Sequence, residues 1–198
     1  MKLKISAKLI LGFLAVAIIA GVVGGVGIGH ILQISKLDAE MYTYYTSVMT
    51  DMVNYTGYFE AMRTILRSAY MEPDMEERKA TLDSFKVMEE AITKYMTSYK
   101  ESLREEIELT KFTAAMDALR EYIVLRNEIV DLMLTEQMDE AKMLMAGKET
   151  DLALKVSIAL NDMVNLKDEM AKQASESNMA SSKRVIGAMQ IIILLAVV

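Results

Sequence analysis

Two arginines are the residues best placed to do chemistry. In "YFEAMRTILRSAY" Arg63 and Arg67 stand four apart, so a helix carries them on one face beside the seam of Phe59, Met62 and Leu66. Two planar guanidinium forks on a shared face suit a carboxylate, which they grip through charge-assisted hydrogen bonds. Glu60, or acids elsewhere in the fold, could occupy the same pair, and spacing alone leaves both uses open. Arg126 is a further oddity: it falls on an apolar seam, where an acid is expected to bridge to it.

Other chemistry finds little material. With no cysteine and a single histidine, His30, there is no thiol-imidazole pair for nucleophilic catalysis. A di-iron bundle needs two Glu-x-x-His pairs, which one histidine cannot supply. The runs Glu76-Glu77, Glu89-Glu90 and Glu105-Glu106-Glu108 read as solvated faces, with a divalent ion on one of them as the alternative. Eighteen methionines raise soft-metal binding through Met138, Met143 and Met145. Met62, Met96, Met116, Met163 and Met170 nevertheless recur at core spacing, where methionine fills gaps between helices. No catalytic residue, metal or cofactor is expected.

The glycine-dense stretch "GVVGGVGIGH" resembles a phosphate cradle at first sight. A G-x-G-x-x-G fingerprint starting at Gly25 and Gly27 would need glycine where His30 stands, and no strand-to-helix junction surrounds it. What fits is Gly21-x-x-x-Gly25-x-x-x-Gly29, three glycines on one helix face that let a second helix approach closely. Generic tolerance of glycine in a membrane helix is the plainer explanation.

A membrane helix is indeed expected there. From Leu9 to Leu32 no side chain is charged apart from a protonated His30, and about 20 apolar residues suffice to cross a bilayer. Ala15-Val16-Ala17 resembles a signal cleavage site, but the apolar run continues well past it, so an uncleaved span is expected. From Val185 to Val198 the chain is again apolar and stops within what reads as a second span, as though a continuation followed. Lys2, Lys4 and Lys8 place the N-terminus in the cytoplasm by the positive-inside rule, and the middle of the chain outside it. Lys183 and Arg184, on the outer side of the second span, weigh mildly against that orientation.

The middle of the chain is acidic and helical. Setting aside those five basic residues leaves 17 basic against 28 acidic side chains, a net charge of −11, which disfavours nucleic acid as a partner. Between Ile31 and Arg184 there are one proline and two glycines, Gly57 and Gly147, too few turn formers for a β architecture. Apolar residues from Ile34 through Tyr55, Phe59 and Leu66 step by three and four, continuing the first span as a helix. Pro73 ends it, and Asp74 with Glu77 caps the next helix. That second helix carries Leu82, Phe85, Ile92, Met96, Tyr99 and Leu103, interrupted by Glu89. A third, capped by Thr110, carries Phe112, Met116, Leu119, Ile123, Val130 and Met133. A connection near "TEQMDEA" leads to a fourth helix from near Lys148, carrying Leu152, Val156, Met163, Leu166, Met170 and Ala174 into the terminal apolar segment. Connections far from the membrane are expected near Pro73 and Gly147, and one close to it near Thr110. Tyr42, Tyr44 and Tyr45 read as bundle and subunit contacts.

The expected fold is therefore all-α: an antiparallel up-down-up-down four-helix bundle whose long helices continue into two transmembrane helices. Its parts are a cytoplasmic N-terminus (1–8), a first transmembrane helix (9–32), an extracytoplasmic bundle (33–183) and the start of a second transmembrane helix (184–198).

This pattern resembles the N-terminal sensory portion of the methyl-accepting chemotaxis proteins, with a four-helix-bundle ligand-binding domain. "QMDEAKMLMAG", "IALNDMVNLKDEMAKQA" and Arg184 at the entrance of the second span carry the local likeness. The resemblance implies a receptor in the cell membrane, a homodimer, that detects an amino acid, another small anion or a periplasmic binding protein. It implies transmission to cytoplasmic signalling proteins through a C-terminal part beyond Val198. It also implies that arginines of the first helix meet polar residues at the start of the fourth across a dimer interface, by position Lys148 and Thr150. Histidine kinases and diguanylate cyclases carry similar modules, and a purely structural membrane dimer remains the other reading.

Overall fold

A computed structural model describes residues 4–197 of the 198; Lys2 and the last residue of the second apolar segment, Val198, lie outside it. The described residues are helical between short turns, in the order α1 (Ile5–Met41), a π-helical turn (Tyr42–Thr46), α2 (Ser47–Met71), α3 (Met75–Glu101), α4 (Glu106–Leu134), α5 (Met138–Leu144), a second π-helical turn (Met145–Glu149) and α6 (Thr150–Val197). Two compact units result, one of residues 43–170 and one of residues 1–42 with 171–198.

The larger unit is the expected antiparallel four-helix bundle. Buried residues repeat at alternating steps of three and four: Val48, Met52, Tyr55, Phe59, Met62, Leu66 and Ala69 on α2, and Leu82, Phe85, Ile92, Met96 and Tyr99 on α3. That is the heptad seam of helices packed at shallow angles. On α4 the buried stripe includes Phe112, Ala115, Leu119, Tyr122, Ile129 and Met133, and on α6 Ala153, Val156, Leu160 and Met163. Several expected core positions, Met116, Ile123, Val130, Leu152, Leu166 and Met170 among them, are only half-buried. Alanines 115, 118 and 153 take their places, because small side chains let neighbouring helices approach closely while the larger residues flank the seam.

The turns show why each helix stops where it does. Pro73 follows Glu72, and the Asp74 carboxylate accepts from the backbone N–H groups of Glu76 and Glu77 at 2.9 and 3.0 Å, the cap expected there. Thr110 does not cap the next helix. α4 begins a turn earlier, where the Glu108 carboxylate reaches back to accept from the N–H groups of Arg104 and Glu105 at 2.9 and 3.0 Å. Thr110 instead donates to the Glu106 carbonyl within the helix. The third turn is Thr135–Gln137, with Glu136 in the left-handed region at φ 60°. Gly147, expected at that connection, lies well inside helical structure in the second π turn.

Buried Arg78 ties one end of the bundle together. Its guanidinium donates to the Ala69 and Glu72 carbonyls that end α2 and to the Met133 carbonyl near the end of α4, satisfying acceptors a helix C-terminus leaves orphaned.

In the smaller unit no residue of α1 is buried. Leu9, Ile10, Leu11, Phe13, Leu14, Val16 and Ile18 are all more than half exposed, a continuous apolar surface on a helix long and apolar enough to cross a membrane. A methyl group added at Gly21, Gly25 or Gly29 would meet nothing within 4 Å, so the glycine face is open in the single chain. At Gly27 it would approach the Met189 methyl to 3.5 Å. Both ring nitrogens of His30, expected in contact with headgroups, are covered and lack a hydrogen-bond partner.

Candidate ligand site and the charged seams of the bundle

The heptad seams are not purely apolar, and their charged members decide how the bundle is wired. Continuing the α4 stripe by threes and fours from Phe112 reaches Glu108 in one direction and Arg126 in the other; continuing α6 from Met163 reaches Lys167. All three are buried, Glu108 and Lys167 at 0% and 1% exposure and Arg126 at 4%. Each has found a partner, as a buried charge must.

Arg126 donates to Glu89 at 2.6 Å. Glu89 is the residue that interrupts the α3 seam, so the two irregularities in the sequence answer each other across the core, as expected for Arg126. The guanidinium also lies 4.6 Å from the centre of the Phe85 ring, a cation–π contact.

Lys167 is ion-paired to Glu108 at the opposite end of the bundle from Arg78. The rings of Tyr99 and Tyr45 lie 5.6 and 5.7 Å from its ammonium group, and Tyr99 in turn stacks on Phe112. Burial pushes the Glu108 carboxyl up, but Lys167 and the two backbone donors outweigh it and hold the group below its ordinary value. Glu108, expected on a solvated face, is instead buried. The lysine four residues beyond Met163 on the seam was the available signal.

At the Arg78 end lie the residues expected to bind a ligand. Arg63 donates through Nε to Glu149 at 3.2 Å and through Nη1 to Glu60 at 3.0 Å. Burial lowers its pKa, but the two carboxylates outweigh that and raise it. Glu149 is 2% exposed and accepts a second hydrogen bond, from the Tyr122 hydroxyl at 3.2 Å. That hydroxyl is pushed well above its ordinary value, first by burial and then by the adjacent carboxylate. Arg67 differs from Arg63: half its side chain is exposed and its guanidinium is 3.9 Å from Glu149.

Glu149 turns inward where the sequence points to its neighbours Lys148 and Thr150. The π turn explains the difference. From buried Ala141, α-helical stepping returns to the same face after about two turns of 3.6 residues, at Lys148. The π turn, with its wider i to i+5 spacing, takes up one extra residue, so the inward position falls to Glu149. Lys148 and Thr150 are exposed.

Arg67 and Thr150 nonetheless share a feature. They line an open groove of about 460 Å³ together with Lys142 and the apolar surfaces of Tyr70, Met71, Met145 and Ala146. Arg63 and Lys148 are outside that lining. Of the four expected residues the structure thus brings two to one groove, places Arg63 behind it in an ion pair with Glu149, and leaves Lys148 facing solvent.

Among the described residues no group of three or more acidic or histidine side chains converges as a metal ion would need. Four antiparallel helices, charged pairs along their seams and a cationic groove at one end make up an all-helical bundle. The chain belongs to the four-helix-bundle sensory modules for signal transduction found in methyl-accepting chemotaxis proteins, whose family model matches residues 2–182. Modules of this family are generally non-enzymatic and are associated with membranes. No curated protein matches the chain.

Proposed function

We propose that the chain is the sensing part of a two-pass chemoreceptor, which binds a small carboxylate or amino acid outside the cytoplasm and passes a helix displacement across the membrane into chemotaxis signalling. Arg67 carries this reading. Its neighbour Arg63 is occupied by two carboxylates, whereas Arg67 is half-exposed, short of hydrogen-bonding distance from Glu149, and turned to an open groove. A guanidinium so placed is ready to take a carboxylate from solution. The groove touches α2 on one side and the start of α6 on the other, so an anion drawn between them biases their relative position. A long helix passes such a shift on without a loop absorbing it.

The receptor acts as a homodimer in the cell membrane, with Gly21, Gly25 and Gly29 at the contact between first spans and the bundle on the periplasmic or extracellular side. A periplasmic binding protein delivering its ligand to the same end is compatible with this reading. Calorimetric titration of the whole chain in lipid nanodiscs with amino and carboxylic acids is the test. Charge-assisted hydrogen bonds contribute about 1.5–3 kcal/mol, so Arg67→Ala should weaken binding about tenfold or more without loss of helicity. Absence of binding, or equal binding to the variant, overturns the assignment.

A further inference from the structure

The groove carries information about which carboxylate it takes, and the inference rests on reading it as the sensing site. Glu149 is a carboxylate already in place behind the groove, held by Arg63 and Tyr122. It answers the first arginine from within the protein, with Glu60 as a second acid on the same guanidinium. The positive groups left facing the groove are Arg67 and Lys142. Among the described residues Lys142 has no ion-pair partner, and Arg67 has only the 3.9 Å approach to Glu149. Three cations, Arg63, Arg67 and Lys142, stand against two carboxylates, Glu60 and Glu149, so the cluster lacks one negative charge.

The walls supply the rest of the specification. Met71, Met145, Ala146 and the Tyr70 ring line the groove beside the two cations, and a volume of about 460 Å³ lies within the about 300–1,000 Å³ range of small-ligand sites. A second carboxylate on the ligand would lie largely against thioether and methyl surface, the Thr150 hydroxyl being donated already to the Met145 carbonyl, or turn towards Glu149, and either costs free energy. A compact inorganic anion would leave the apolar walls uncovered. We propose that the groove selects monocarboxylates with an apolar chain or ring over dicarboxylates, with Arg67 and Lys142 straddling the one carboxylate and Glu149 filling the place a second would take.

The experiment titrates the whole chain in nanodiscs with 4-methylpentanoate, phenylacetate and succinate. The apolar monocarboxylates should bind at least about tenfold tighter than succinate, since each buried methylene contributes roughly fourfold. Arg67→Ala and Lys142→Ala should each weaken 4-methylpentanoate about tenfold. Glu149→Gln keeps the side chain's shape but frees the Arg63 charge, so succinate should gain and the preference narrow or reverse. Met145→Gln, a half-buried wall position, should weaken 4-methylpentanoate and leave succinate unchanged, and reads the same selectivity without touching the buried cluster. Succinate binding as tightly as 4-methylpentanoate to the unaltered chain overturns the proposal while leaving an anion groove in place. Binding of 4-methylpentanoate that neither Lys142→Ala nor Met145→Gln changes also overturns it. If no carboxylate binds, the reading of the groove as a sensing site falls with it.

Discussion

Lys167 and Glu108 are almost wholly sealed from water, and taking both charges out of solvent costs several kcal/mol each unless they meet. Such a pair is a weak source of stability but punishes the loss of one member. Lys167→Met strands a carboxylate in the core and should cost about 3–5 kcal/mol, read as a lower urea midpoint; adding Glu108→Leu should recover only part of the loss, because the Arg104 and Glu105 N–H groups then lose their acceptor. The pair also sets a pH dependence. The folded Glu108 carboxyl lies below its ordinary value of 4.5, so the unfolded chain binds the proton first. The stability from this group is present above that value and is lost as pH falls through the folded pKa. Urea midpoints measured from pH 6 to pH 3 should therefore fall on acidification, and fall less steeply in the Glu108→Leu/Lys167→Met chain, which has no carboxylate there to protonate. An unchanged slope would show that other acids govern acid unfolding.

Two local irregularities distinguish these helices from ideal ones. Glu136 holds a left-handed conformation at φ 60°, where a Cβ is strained and glycine is at ease. Glu136→Gly should raise stability by about 0.5–1 kcal/mol despite glycine's greater freedom in the unfolded chain, and a loss in the urea midpoint would contradict this. The π turn at Met145–Glu149 behaves as a one-residue insertion into an α-helix. Deleting Gly147 should restore α-helical stepping between Ala141 and Glu149 and keep Glu149 facing Arg63. It also removes a helical glycine that costs roughly 1 kcal/mol. Hydrogen exchange across residues 145–150 should slow in the deletion variant; faster exchange would mean that the π turn is needed to hold Glu149 inward.

At the scale of the whole molecule the open surface is the apolar α1 helix with its bare glycine face. Association of helices in lipid depends on close backbone approach, because the tails are as apolar as the side chains. If Gly21, Gly25 and Gly29 lie in a contact between two copies, Gly25→Ile should weaken dimerisation in the membrane, since its side chain meets no atom of its own chain within 4 Å of the Cβ and would meet the partner instead. Cross-linking between first spans, with and without the substitution, reads the outcome; equal yields would remove the glycine face from the interface.

Heptad spacing, the scarcity of proline and glycine, and the Asp74 cap were enough to read the four helices, their antiparallel order and most of the α2 and α3 core, because local periodicity and capping are properties of neighbouring residues. Arg126 and Glu89 could be seen to interrupt their seams for the same reason, although not that they meet. Tertiary structure alone decided the rest. Ala115, Ala118 and Ala153 replace bulkier residues in the core because helix separation is set by what faces each position from another helix. Lys167 finds Glu108 because two seams far apart in sequence converge. Above all, Glu149 rather than Lys148 turns inward towards Arg63, because one π turn shifts the helix by a single residue. That shift changes the sign of the charge presented to the arginines, and no count of α-helical periods along the chain contains it.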